Sequence, residues 1–164
     1  MAAYRIQPLT REEARQILDW RYAPPFDYYD PPLLEDTEPL LRAFLEPENG
    51  FHGVRDDQNR FIGFCSYGFD GRVLGGHYDG TALDIGLGMK PEMTSHGKGN
   101  EFFRAIMAFA YGELGAENLR LTVADFNDRA QRVYARAGFE VVDHFLDALD
   151  AVPHTIMLKP ALRS

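Results

Sequence analysis

Between Leu83 and Leu114 the chain reads LDIGLGMKPEMTSHGKGNEFFRAIMAFAYGEL, a stretch whose residue types suit the capture of an anion. Leu83, Ile85, Leu87 and Met89 alternate as in a buried strand. Pro91 stops that strand, because proline lacks the N–H a sheet needs. A polar turn ending in Gly97-Lys98-Gly99 follows, after which Phe102, Phe103, Ile106, Ala110 and Leu114 recur at helical spacing. A strand, a glycine turn and a helix start aim several unpaired backbone N–H groups at one point, and phosphate is the anion such a point suits best. Glycine lets the phosphate come close where a Cβ would hold it off. The same turn can also serve as a plain link into a helix. A P-loop is excluded, since Gly99 follows Lys98 where Ser or Thr is needed and Glu92 stands at the first glycine. A dinucleotide fingerprint is excluded by Phe102 at its third glycine.

Other reactive residues offer less. Cys65 lies inside an apolar strand with no base beside it in sequence, which fits a buried structural thiol. The five histidines form no HExxH, metal-ligand spacing or Ser-His-Asp order, so no metal is expected. Asp84, on the central strand, is either a salt-bridged or exposed strand residue or a carboxylate whose pKa burial could raise into the range of a base. His77 and Tyr78 are substitutes for that role in the preceding loop.

A second informative stretch, NDRAQRVYARAGFE, starts at Asn127. Asn127 or Asp128 can cap a helix, with Gln131 completing a box, and Gly138 supplies a left-handed stop. Ala130, Val133, Tyr134 and Ala137 share one face, so Tyr134 read alone is a core residue. The loop Pro91-x-x-Thr94-Ser95-His96-Gly97-Lys98-Gly99 resembles the pyrophosphate loop of the GCN5-related N-acetyltransferases, written [Q/R]-x-x-G-x-[G/A]. Thr94 stands where that family has Gln or Arg. Asn127, Ala130, Tyr134, Gly138 and Phe139 match the family's second signature, in the expected order and distance.

The resemblance implies a mixed, mostly antiparallel sheet flanked by helices in one α/β domain spanning residues 1–164, with acetyl-CoA as cofactor. Backbone N–H groups of Ser95, His96, Gly97, Lys98, Gly99 and Asn100 would hold its pyrophosphate, with the Thr94 hydroxyl able to contact it. Leu87, Gly88 and Met89 would line the pantetheine arm on a strand that bulges and splays from its neighbour, leaving an N–H near Leu87 for the thioester carbonyl. Asn127 would orient the cofactor, Tyr134 would act as general acid toward the departing sulfur, and Asp84 is the candidate base. The implied activity is transfer of an acetyl group to a primary amine of a small molecule or peptide. The alternatives are a catalytically silent acyl-CoA-binding sensor or scaffold and a small nucleotide-binding α/β protein.

These groups need elements to position them. Tyr4 to Pro8 reads as a strand, and Thr10 with Glu13 forms a capping box opening a helix from about Arg11 to Arg21. Trp20 to Leu34 reads WRYAPPFDYYDPPLL: four prolines break it, and its rings either pin it to the core or form an acceptor lid with Asp27 or Asp30. A helix over Thr37 to Leu45 follows, then a hairpin of Phe51–Arg55 and Arg60–Tyr67 and a glycine-rich loop to Gly80. Strands at Leu119–Val123, Val141–Phe145 and Thr155–Leu158 close the order β-α-α-β-β-β-α-β-α-β-β. The length of 164 residues fits a single domain, and 45% hydrophobic content suffices for a core. A single cysteine fits a reducing, cytoplasmic setting, and no signal or membrane-spanning pattern is present. A net charge of −8 disfavours nucleic acid and favours the approach of amines. Monomer and homodimer are both open.

Overall fold

The computed structural model describes residues 3–94 and 97–161, so Ser95 and His96 of the anion turn lie outside the described residues. Seven strands form one sheet: β1 (Arg5–Pro8), β2 (Phe51–Arg55), β3 (Phe61–Tyr67), β4 (Leu83–Met89), β5 (Leu119–Ala124), β6 (Glu140–Leu146) and β7 (Pro153–Lys159). Their order across the sheet is β1-β2-β3-β4-β5-β7-β6. Among the described residues the one parallel pair is β4 with β5; the other neighbours run antiparallel. The helices are α1 (Arg11–Leu18), α2 (Glu38–Leu45), α3 (Gly99–Gly112) and α4 (Asp128–Arg136). The element order is the one the hydrophobic periods predict.

Thr10 opens α1 through a complete capping box: its hydroxyl accepts from the Glu13 N–H at 3.1 Å, and the Glu13 carboxylate accepts from the Thr10 N–H at 3.0 Å. The helix ends three residues earlier than the sequence suggests. Trp20 leaves the helical path to stack on Phe61, with ring centroids 5.6 Å apart, and the Arg21 guanidinium donates to the freed carbonyl of Leu18 at 3.0 Å. Burying a large apolar side chain contributes about 2 kcal/mol, more than the turn of exposed helix it replaces.

The sheet separates two apolar layers. On one face α3 and α4 set Phe102, Phe103, Ile106 and Tyr134 against Ile85, Leu121 and Met157. On the other, α1 and α2 set Ala14, Ile17 and Leu41 beside Trp20 and Phe61. Cys65 is fully buried in the first layer, and burial pushes its thiol up to about 12 despite a hydrogen bond with Tyr67, so it is a structural residue. Among the described residues no helix is long and apolar enough to cross a membrane, and no group of three or more His, Cys, Asp or Glu is placed to hold a metal.

Candidate active site

The parallel pair β4–β5 comes apart partway along. Leu83, Asp84 and Ile85 pair with Leu119, Arg120 and Leu121, and there the pairing stops. Beyond it β4 stays on β3, with Gly86 against Ser66 and Met89 against Gly63, while β5 stays on β7. The two strands therefore diverge from Ile85 onward. The direction of the freed groups follows from the ladder on the other side. The Lys90 N–H donates to the Ile62 carbonyl at 2.8 Å, and the Asp84 carbonyl accepts from the Gly68 N–H at 2.8 Å. Backbone groups alternate sides along a strand, so Ile85, Leu87 and Met89 direct theirs toward β5. Ile85 meets its partner; Leu87 and Met89 face the gap. The expected bulge in β4 is absent, since β4 keeps an unbroken register with β3; the splay alone frees the backbone.

The gap leads to the start of α3. Gly97 has φ of +69°, a left-handed turn that favours glycine, and a Cβ there would point into open space. Lys98 sits at the N-cap with no side-chain hydrogen bond to the helix, and the first helical bond runs from the Phe102 N–H to the Lys98 carbonyl. The amides of Gly99, Asn100 and Glu101 thus have no helical acceptor, which suits an anionic ligand. Thr94 does not join them: its hydroxyl donates to the Pro91 carbonyl at 2.9 Å, so its proton is spent inside the preceding turn. Its carbonyl accepts from Arg129 of α4 at 3.1 Å, tying the turn to that helix.

Asn127 is the cap of α4, accepting from the Ala130 N–H at 3.1 Å. Gln131 does not complete a box; its amide donates to the Asp125 carbonyl at 2.9 Å. The Asn127 amide also donates to the Tyr29 hydroxyl at 3.2 Å, at the open end of β5. Tyr134 is buried against Phe103 and Phe139, with centroids at 4.9 and 6.3 Å, and lies near enough to Tyr29 to feel its charge. Burial is the larger cause that pushes the Tyr134 phenol well above its ordinary pKa, with Tyr29 adding to it.

Asp84 is placed unlike a base. It is buried, Arg120 grips both its oxygens at 2.6 and 2.9 Å, and Arg72 adds a third contact at 2.8 Å. Both of its oxygens are taken by arginine donors, and the Arg72 contact ties the loop after β3 to the paired half of β4. His77 is exposed and pairs with Asp79, and the Tyr78 hydroxyl is engaged by Thr122, the first β5 residue past the pairing, and by the Val73 N–H.

The loop between α1 and α2 covers the other side. Its rings do pin it down: Trp20 is buried, and Phe26, Tyr28 and Tyr29 gather around Phe126. Trp20, Tyr22 and Tyr29 also wall a cleft of about 490 Å³ with Phe44, Phe51 and Phe64. The Tyr22 hydroxyl donates to the Met89 carbonyl at 2.7 Å across the mouth of the gap, and burial, with Asp30 nearby, pushes its pKa up to about 12. Asp30 accepts from the Tyr22 N–H at 2.9 Å rather than pointing into the cleft. The carboxylate that does line the cleft is Asp70, in the loop read from sequence only as a connection. It stands exposed at the rim. Desolvation by the neighbouring wall raises its pKa, opposed by a 2.7 Å hydrogen bond from the Ser66 hydroxyl.

A mixed α/β sheet split beside an uncapped helix, with a phenol behind and an aromatic cleft in front, defines the acyltransferase class of fold. The chain belongs to the acetyltransferase (GNAT) domain family, which matches residues 4–140. Among solved structures it is similar to an acetyltransferase (GNAT family) from Bacillus anthracis, at 14% identity with a TM-score of 0.72 over 96% of this chain and 94% of that one. It is also similar to a chimera of the spermidine N-acetyltransferase SpeG from Vibrio cholerae and hSSAT, at 16% identity with a TM-score of 0.70 over 96% and 95%. A dodecameric spermidine N-acetyltransferase from Vibrio cholerae matches at 16% identity, TM-score 0.67, over 96% and 93%. At such identities the structural likeness speaks for the fold alone.

Proposed function

We propose that the chain is an N-acetyltransferase that uses acetyl-CoA to acetylate a primary amine of a small molecule or peptide. The observation that carries this reading is the gap after Ile85, where the backbone of Leu87 and the N–H of Met89, left without a strand partner, run toward the uncapped amides of α3. A ligand with a diphosphate at one end and amides along its arm suits that path, so these groups fit acetyl-CoA. The Gly99 and Asn100 amides, with Gly97 and Lys98 in the turn, would hold the pyrophosphate; Leu87, Gly88 and Met89 would line the arm. Acetyl-CoA supplies a thioester whose carbonyl carbon accepts the amine.

The chain's own groups then divide the work. The Leu87 N–H, fixed by the strand, donates where negative charge grows on the carbonyl oxygen, and a fixed donor favours that charge over the ground state. Asn127, which caps α4 and reaches Tyr29 at the open end of β5, would orient the cofactor from there. Tyr134 stays protonated because burial opposes its ionised form, so it would hydrogen-bond to the departing sulfur as negative charge grows there, the acid role in this reading. Calorimetric titration with acetyl-CoA, paired with thiol release on an amine panel, tests the reading. Saturable binding with turnover is expected; binding without turnover of any amine would favour a silent acyl-CoA-binding module, and no binding would end the proposal.

A further inference from the structure

We propose that Asp70 anchors the acceptor ammonium and takes its proton, and that the cleft it closes selects a monoamine bearing an aromatic or branched apolar group. This rests on the acetyltransferase reading above. Among the described residues Asp70 is the one charged side chain lining the cleft; the rest of the wall is mainly aromatic and aliphatic, including Trp20, Phe44, Phe51 and Phe64. The cleft touches the reacting end of the gap. A Cβ on Gly86 would fall 2.5 Å from the Ser66 Oγ and 3.1 Å from the Asp70 Oδ2, so the carboxylate rests against the residue just before Leu87. Ser66 donates to Oδ2 at 2.7 Å, which fixes the carboxylate and leaves Oδ1 for a cation.

The rest of the cleft decides what the cation is attached to. Aromatic faces favour one ammonium and an apolar body. A polyamine would carry further ammonium groups past Trp20, Phe44 and Phe51 with no second carboxylate to receive them, and burying an unpaired charge is strongly unfavourable. In the proton step the ammonium N–H bond breaks and an O–H bond forms on Asp70 Oδ1. The electron pair stays on nitrogen for attack, and Asp70 later returns the proton to solvent.

The test measures thiol release by the full chain with 2-phenylethylamine, isoamylamine and spermidine, for wild type, Asp70→Asn and Asp70→Glu. Acetyl-CoA affinity is followed by calorimetry in each. Both monoamines should exceed spermidine in kcat/KM by about tenfold or more, the discrimination an apolar pocket supports. Asp70→Asn should lower kcat/KM for 2-phenylethylamine about 100-fold with acetyl-CoA affinity unchanged, and Asp70→Glu should recover part of it. Preference for spermidine, Asp70→Asn activity within about threefold of wild type, or acetyl-CoA binding with no monoamine turned over would each overturn the proposal. Loss of acetyl-CoA binding by wild type would instead remove the cofactor reading first, before any amine is added.

Discussion

Two side chains, Tyr134 and Asp84, depend on what surrounds them more than on what they are. Tyr134 has the clearest consequence. Its removal as a proton donor in Tyr134→Phe should lower turnover by about 10- to 1000-fold while leaving acetyl-CoA affinity unchanged, since the ring still packs on Phe103. Burial raises its pKa, so the protonated form persists as pH rises; kcat should show no falling limb between about pH 7 and 10 attributable to this group. A wild-type rate in Tyr134→Phe would remove the acid role. Asp84 is the converse case, a carboxylate with two arginine partners and none in the gap. Asp84→Ala leaves the buried Arg120 without its counter-charge and should cost about 3–5 kcal/mol in urea unfolding. A variant as stable as wild type yet inactive would return Asp84 to the catalytic roles.

The elements were largely legible in the chain because their signals are local. Proline and glycine mark the ends of β4 and α4, and the capping box at Thr10 and Glu13 forms as its spacing suggests. The gap was legible only through family likeness, because nothing within β4 says where a strand thirty-six residues later, Leu119 against Leu83 through Leu121 against Ile85, stops pairing with it. Asp70 was not legible at all. Its meaning comes from Ser66, Gly86 and the aromatic wall, three separate segments that only the folded chain brings together. The gap makes its own prediction in amide hydrogen exchange. The Leu87 and Met89 amides, with no strand to pair with, should exchange much faster than that of Ile85, and acetyl-CoA should slow both. Equal protection of all three without ligand would mean that the strands do not part in solution.

Over the whole molecule, charge is unevenly distributed in a way that bears on how an amine arrives. Between Asp19 and Glu48, the segment that supplies much of the wall of the aromatic cleft, the chain carries eight carboxylates (Asp19, Asp27, Asp30, Glu35, Asp36, Glu38, Glu46 and Glu48) against Arg21 and Arg42 alone. That segment supplies most of the net charge of −8. Most of these carboxylates are exposed, so their field extends over the rim and weakens with salt. Within the cleft Asp70 is the one carboxylate among the described residues, so the rim attracts cations without a second carboxylate inside to bind them. The two effects separate on ionic strength. Raising it from about 0.01 to 0.15 M shortens the screening length from about 30 to 8 Å, and kcat/KM for a cationic monoamine should fall while kcat holds steady. Replacing Glu35, Asp36 and Glu38 together by their amides should flatten that salt dependence without changing which amine is preferred, because preference belongs to the aromatic wall and Asp70. A shift in preference in that triple variant would show that the rim, and not the cleft, chooses the acceptor.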